Sequence, residues 1–335
     1  MIERKYEAEK LSFLSTSTPT SSNKKEYPKI SIVTPSYNQG QFIEETIRSV
    51  ICQDYPDIEY IVIDGGSTDN SVEIIRKYKN YLHYWISKPD RGQTHAINKG
   101  LSRATGDIIA YLNSDDIYLP ETFKKIAAFF QENPEIDMVY GNILFIDEKS
   151  NVLHEIKREP LILKEFYGCY FFIPQPTVFL RRKIVEKCGY FDETFNLAMD
   201  LEYWIRISFS GNIQYLPEQL AGARIYPAAK SSVHLTDYLD ENLKILEKYK
   251  NKLLKPPYPI NMMDDCYSSV YFFGGLRYLK RGYISKGSIN VLRAARYKFG
   301  IIFNRYLIYC FFSGIIGENK MKKIEMKLHL ISQKI

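Results

Sequence analysis

The segment YLNSDDIY, residues 111–118, sets Asp115 and Asp116 side by side directly after an apolar run. Paired carboxylates at the end of a buried strand either open a helix in solvent or hold something positive. Two further stretches are chemically loaded, TPSYN (34–38) with Tyr37 and DGGSTD (64–69) with Asp64. Carboxylates gathered in one cleft repel each other unless a cation or hydrogen-bond donors stabilise them. A hard divalent ion held by one or two of them, its shell completed by substrate phosphates and water, is the usual solution. The plainer reading makes Ser67 or Thr68 a helix cap and Gly65 and Gly66 turn residues, with Asp115 and Asp116 capping the helix after Pro120.

These residues meet only if the chain brings them to one place. Apolar runs at 30–35, 58–64, 81–87, 107–113 and 136–141 read as strands. Between them, 41–53, 71–78, 94–105 and a segment opening at Pro120 have helical periodicity, with Ile43, Ile47, Val50 and Ile51 on one stripe and Phe123, Ile126, Ala127 and Phe130 on another. Strand and helix in alternation imply crossover connections and a mostly parallel sheet covered on both faces. The C-terminal strand ends then share one edge, and Tyr37, Asp64, Asp115 and Asp116 face one crevice. Neither a phosphate-binding GK[ST] loop nor a GxGxxG turn follows any strand.

The 335 residues accommodate this α/β domain and an appended region. We expect a flexible lead-in over 1–28, a catalytic domain over 29–235, and a helical, basic, aromatic-rich region over 236–335. Five scattered cysteines without metal-ligand spacing point to an intracellular protein with incidental thiols. The longest apolar stretch, 299–316, carries Asn304 and Arg305 near its middle, unlike a membrane span. Residues 261–335 hold 13 Lys and Arg against 4 Asp and Glu, so the net charge of +6 comes from this end. Arg277, Lys280 and Arg281, at i, i+3 and i+4, would share a helix face suited to peripheral contact with a membrane. A helical cap on the catalytic domain, a dimer contact, and nucleic-acid binding through these cations are the alternatives, although no named nucleic-acid motif occurs.

The stretch from ISIVTPSYNQGQF through DGGSTDNS, with KPDRGQTHAINKGLSRATGDIIAYLNSDD, PQPTVFLRRKIVEKCGYFDE and LAMDLEYWIRI, resembles glycosyltransferase family 2 over about residues 30–230. The resemblance implies the GT-A fold, Rossmann-like, and an inverting enzyme that uses a nucleotide-diphospho-sugar, here a UDP-sugar. It places Pro35 and Tyr37 against the base, Asp64 on the uracil, Arg91 on the base or diphosphate, Asp115 near the ribose and Asp116 on a divalent metal, Mn or Mg. Asp200, in LAMDLEYW, falls where the family carries its catalytic base, while Glu202 points elsewhere around that helix.

Two departures stand out. Asn113 replaces the acid that often opens the NSDD motif, and GARIYPAAKSS gives Arg224 followed by Tyr226 where many relatives have Arg-x-His. The metal would then rely on Asp116 and the phosphates. Each tryptophan, Trp85 and Trp204, follows a tyrosine, so the Gln-x-x-Arg-Trp motif of processive synthases is absent and transfer of one sugar is implied. The expected acceptor is a glycan or lipid-linked hydroxyl in bacterial surface polysaccharide or lipopolysaccharide synthesis, at the cytoplasmic side and without nucleic acid. FFIPQPTVF (171–179) would shape the acceptor pocket, and Tyr203 and Trp204 serve either as core or as an acceptor platform. A sugar-phosphate nucleotidyltransferase would need a glycine-rich, Arg- and Lys-bearing signature after the first strand, and TPSYNQGQ is not one.

Overall fold

The computed structural model describes residues 27–316. Most of the expected lead-in, 1–26, and the chain end at 317–335 lie outside the described residues. The strands are β1 (Ile30–Ser36), β2 (Ile58–Asp64), β3 (Tyr84–Ser87), β4 (Ile108–Tyr111), β5 (Ile117–Tyr118), β6 (Met138–Ile146), β7 (Val152–Ile156), β8 (Phe179–Arg181) and β9 (Ile213–Arg224). In the first half the helices are α1 (Ile43–Ile51), α2 (Ser71–Lys77), α3 (Gln93–Leu101) and α4 (Thr122–Glu132). There follow α5 (Leu163–Tyr167), α6 (Arg182–Cys188), α7 (Met199–Ser208) and α8 (Lys230–Val233). The C-terminal region adds α9 (Tyr238–Leu253), α10 (Met262–Lys280), α11 (Ile284–Tyr297) and α12 (Arg305–Ile316).

One sheet runs β3-β2-β1-β4-β8-β6-β9-β5, with β7 paired to β6 off this path. β3, β2, β1 and β4 are mutually parallel, so the loops after them open on one edge. β1 is buried along its whole length, as a central strand covered on both faces must be. Alternation then divides its side chains, Ile30 and Ile32 into one core and Val33 into the other. Antiparallel pairs enter through β8, β7 and β5.

The helix after Pro120 starts later than its sequence signal. Leu119 N–H donates to the Leu220 carbonyl at 3.0 Å, and the Thr122 hydroxyl to the same oxygen at 2.6 Å, which keeps the chain on β9. Glu121 turns through a left-handed conformation, φ 65°, before α4 begins. Phe123, Ile126, Ala127 and Phe130 are all buried, as their spacing predicts. Asp115 and Asp116 therefore precede a two-residue strand, β5, and do not cap a helix.

The C-terminal region is continuous with the core at its start. Leu239, Ile245, Tyr249 and Leu253 of α9, and residues of α10 up to Val270, pack in the same cluster as Trp204. From Phe272 onward a second small core forms, where Leu276 and Leu279 meet Val291, Ala294 and Cys310. No helix among the described residues is long and apolar enough to cross a membrane.

Candidate active site

The loops after β1 and β2 are zipped together. The backbone N–H groups of Asn38, Gln39 and Gly40 donate to Ser67 Oγ, Ser71 Oγ and Asp69 Oδ2 at 2.8, 3.0 and 2.8 Å. Thr68 N–H returns a bond to Asn38 Oδ1 at 2.8 Å. Gly40 lies so close to Asn70 that a Cβ would collide with its side chain, and Gly66 has φ +86°. Ser67 and Asp69 are thus spent on this zipper and the turn. Pro35 lies within β1, opposite Ile63. Beyond it Tyr37 projects from the clamped loop with 61% of its surface exposed.

Asp64 is fully enclosed beneath the turn. Its oxygens accept from Gly66 N–H (3.1 Å), Ser67 N–H (2.9 Å), Ser67 Oγ (2.5 Å) and Ser87 Oγ (2.7 Å). A base contact from Asp64 requires this turn to open. Arg91, on the exposed loop before α3, forms a two-nitrogen ion pair with Glu193 Oε2, closest at 2.7 Å.

The acidic pair is held by its backbone. Thr46 Oγ of α1 donates to the carbonyls of Ser114 and Asp116 at 2.9 and 2.7 Å, and Arg224 Nε to that of Asp115 at 2.9 Å. Asp115 Oδ2 accepts from the Tyr226 hydroxyl at 2.9 Å, and Asp116 Oδ1 from Arg224 N–H at 3.0 Å. Burial pushes the Asp115 carboxyl above its ordinary range, and burial together with the neighbouring Asp115 charge pushes Asp116 well above it. The remaining oxygens have little competition, since Asp116 Oδ2 receives only a long 3.4 Å bond from Asn113. Crowded, under-compensated carboxylates of this kind fit a divalent cation. Among the described residues no cluster of three or more His, Cys, Asp or Glu is arranged to hold one, so water and ligand phosphates would complete its shell.

Asp200 stands in the first turn of α7, its Oδ1 taking Leu201 N–H at 2.8 Å. Burial raises its carboxyl to about 6, opposed by the Lys230 charge. A polar chain runs from the acidic pair to Lys230, whose charge acts on Asp200. Asn113 Nδ2 faces Asp116, Asn113 Oδ1 accepts from Gln93 Nε2 at 2.7 Å, and Gln93 Oε1 accepts from Lys230 Nζ at 3.0 Å. Gln175 joins from the other side, accepting from Asn113 at 3.1 Å and donating to the Tyr111 carbonyl at 2.7 Å.

The sequence model described as "Glycosyl transferase family 2" matches residues 31–189. An uncharacterized glycosyltransferase of Mycobacterium tuberculosis is 30% identical over 182 residues, covering 53% of this chain and 68% of the relative. The chain belongs to glycosyltransferase family 2. An uncharacterized glycosyltransferase of Nostoc sp. is 29% identical over 211 residues, 60% of this chain and 66% of the relative, just under two-thirds of that relative's length. The fold is that of the mannosyltransferase PcManGT from Pyrobaculum calidifontis, solved in complex with GDP-Man and Mn2+. The TM-score is 0.54 at 16% identity, covering 91% of this chain and 92% of the other.

Against the family 2 pattern, the structure gives the departures physical content. The Arg224 side chain is wholly buried and reaches Glu45, Asp147 and Ser150 while lying over the Phe42 ring at 4.6 Å. Tyr226 packs on the same ring and bonds both Gln39 (3.3 Å) and Asp115. Asn113 acts as an amide relay in place of an acid. Tyr203 and Trp204 are buried core residues and offer no platform. Glu202, by contrast, belongs to the fold. It is fully buried and bonded to Lys248, Arg206 and Tyr249, because its side of α7 faces α9. Gln93, Lys230 and Tyr226 have no local sequence signature, since Gln93 meets Lys230 across 137 residues and Tyr226 meets Asp115 across 111.

Proposed function

We propose that this family 2 member moves one sugar from a nucleotide-diphospho-sugar, a UDP-sugar, to a hydroxyl acceptor with inversion at the anomeric carbon. The observation that carries the reading is a polar chain from Asp116 through Asn113 and Gln93 to Lys230, whose charge acts on Asp200. Tyr37 stacks on the base, with Pro35 beside it and Asp64 beneath. Asp115 meets the ribose, and Arg91 leaves Glu193 for the base or diphosphate. Asp116 would hold a divalent cation, Mn or Mg, whose contribution is to offset charge growing on the departing diphosphate.

Asp200 accepts the proton of the acceptor hydroxyl as that oxygen forms its bond to the anomeric carbon. The bond to the diphosphate breaks in the same displacement, so inversion follows and no covalent intermediate is needed. A carboxyl raised to about 6 suits this role, being a stronger base than an ordinary aspartate yet ionised at neutral pH. The acceptor is a glycan or lipid-linked saccharide of a bacterial surface polysaccharide or lipopolysaccharide.

The test is a panel of nucleotide-sugars screened for Mn-dependent hydrolysis and transfer, with the anomeric configuration of the product read by NMR. One UDP-sugar is expected to be turned over, with activity and metal-dependent UDP binding both lost in Asp116→Asn and binding only weakened in Asp115→Asn. UDP binding that ignores both chelator and Asp116→Asn would reject the reading.

A further inference from the structure

The C-terminal helices carry an apolar face with no partner among the described residues. On α12, Ile308, Phe311, Phe312 and Ile315 recur at i, i+3, i+4 and i+7, and all are exposed, Ile308 at 60% and Phe312 at 47%. The opposite side of α12 does the packing, through Cys310 and Ser313. A helix that buries one side and shows water a second, wholly apolar side is unusual for a surface helix. Just before it Phe299 and Phe303 stand 67% and 74% exposed, edge to face at 6.0 Å. On α11, Ile289 and Leu292 are exposed on the same side as Lys286, Arg293 and Arg296.

Charge says what covers this face. From Cys266 to Gly317 the chain contains no Asp or Glu and eight Lys and Arg. A second copy docking face to face would set these cations against themselves. The chain end beyond 317 is a poor electrostatic match as well, with five Lys against two Glu. An anionic lipid surface complements both features, since its headgroups take the cations and its acyl boundary takes the Phe and Ile side chains.

We infer that the α11–α12 end of the molecule docks peripherally on an anionic membrane, through Ile308, Phe311, Phe312, Ile315, Phe299 and Phe303 with flanking cations. This is not the face that the sequence indicated. Arg277 lies against the Tyr238 ring at 5.4 Å, Lys280 over Tyr306 at 5.1 Å, and Arg281 bonds the Ser232 carbonyl. Those three stitch helices together and do not form an open surface.

The test is flotation of the full chain with vesicles of phosphatidylcholine alone and of phosphatidylcholine mixed with phosphatidylglycerol, at low and moderate salt. Its readout is independent of sugar transfer, so it can fail while the proposed activity stands. Binding is expected only to the mixed vesicles, weakening with salt. Ile308→Asn with Phe312→Asn should lower partitioning about tenfold, both side chains being part-exposed already. Lys286→Gln with Arg296→Gln should lower it by roughly tenfold or more at low salt. Melting temperatures should hardly change, because these residues sit at the surface. Absence of binding to mixed vesicles, or binding that survives the Ile308 and Phe312 changes, overturns the inference. So does a dimer, seen by light scattering, that those same changes dissolve.

Discussion

The Tyr226 hydroxyl donates to Asp115 Oδ2 across 2.9 Å, and its ring rests on Phe42 at 5.0 Å. An aromatic side chain packed this way has little freedom, so the bond stays on Asp115 Oδ2. Tyr226→Phe keeps the ring contact and removes the bond. Hydrogen bonds to charged groups are worth about 1.5–3 kcal/mol, so calorimetry should find UDP affinity in Mn lowered by roughly tenfold or more. Tyr226→His restores the Arg-x-His pattern of many relatives and should tighten Mn binding in the same titration.

Asp200 should set the acidic limb of the pH profile. Activity is expected to fall as pH drops through about 6, where the carboxyl gains its proton. The Lys230 charge holds that value down, so Lys230→Gln should move the limb upward. Asp200→Asn should cost about 10²–10⁴ in turnover with donor affinity nearly intact.

The same group makes a stability prediction. The folded value near 6 lies above the ordinary aspartate value of about 3.9. The contribution of Asp200 is therefore fully present below the unfolded value and lost as pH rises through the folded one. Well above pH 6 the charged form costs on the order of 3 kcal/mol, so Asp200→Asn should be more resistant to urea at pH 8 than the natural protein, but not at pH 4.

Glu202→Gln should damage the fold and spare the chemistry. The substitution leaves Lys248 and Arg206 facing a neutral amide in place of a buried carboxylate. Losing one partner of a buried pair costs 3–5 kcal/mol, and the partial exposure of Lys248 reduces this to about 2–3 kcal/mol. Denaturant melts should record the loss, while turnover per folded molecule remains near that of the natural protein.

Tyr37→Ala should do the opposite. The ring is largely exposed and packs against no core, so the melting temperature should stay put. Stacking a base on an aromatic ring is worth about 1–3 kcal/mol, so UDP affinity should fall by roughly tenfold or more.

Local pattern was enough to make β1, β2 and α4 legible, because their burial follows from period and composition within one segment. It also set Tyr37, Asp64 and the Asp115–Asp116 pair on one edge, since parallel strands leave no other arrangement. The motifs, read together, identified the family. What they could not carry was which polar atoms meet. Asp64 proved to be bonded by its own turn and by Ser87 of β3, and Glu202 turned out to be buried because α9, starting 36 residues later, packs over it. Glu241 of that helix caps the backbone N–H groups of Leu197 and Ala198 just before Asp200, a role with no local signature. The basic C-terminal charge was plain in the sequence, but which face it flanks was decided by packing. Arg277 and Lys280 found aromatic partners on neighbouring helices, and the side without a partner among the described residues fell to Ile308 and Phe312. Periodicity records how a segment divides between core and water, whereas hydrogen bonds and ion pairs between distant segments exist only once the helices and strands have docked.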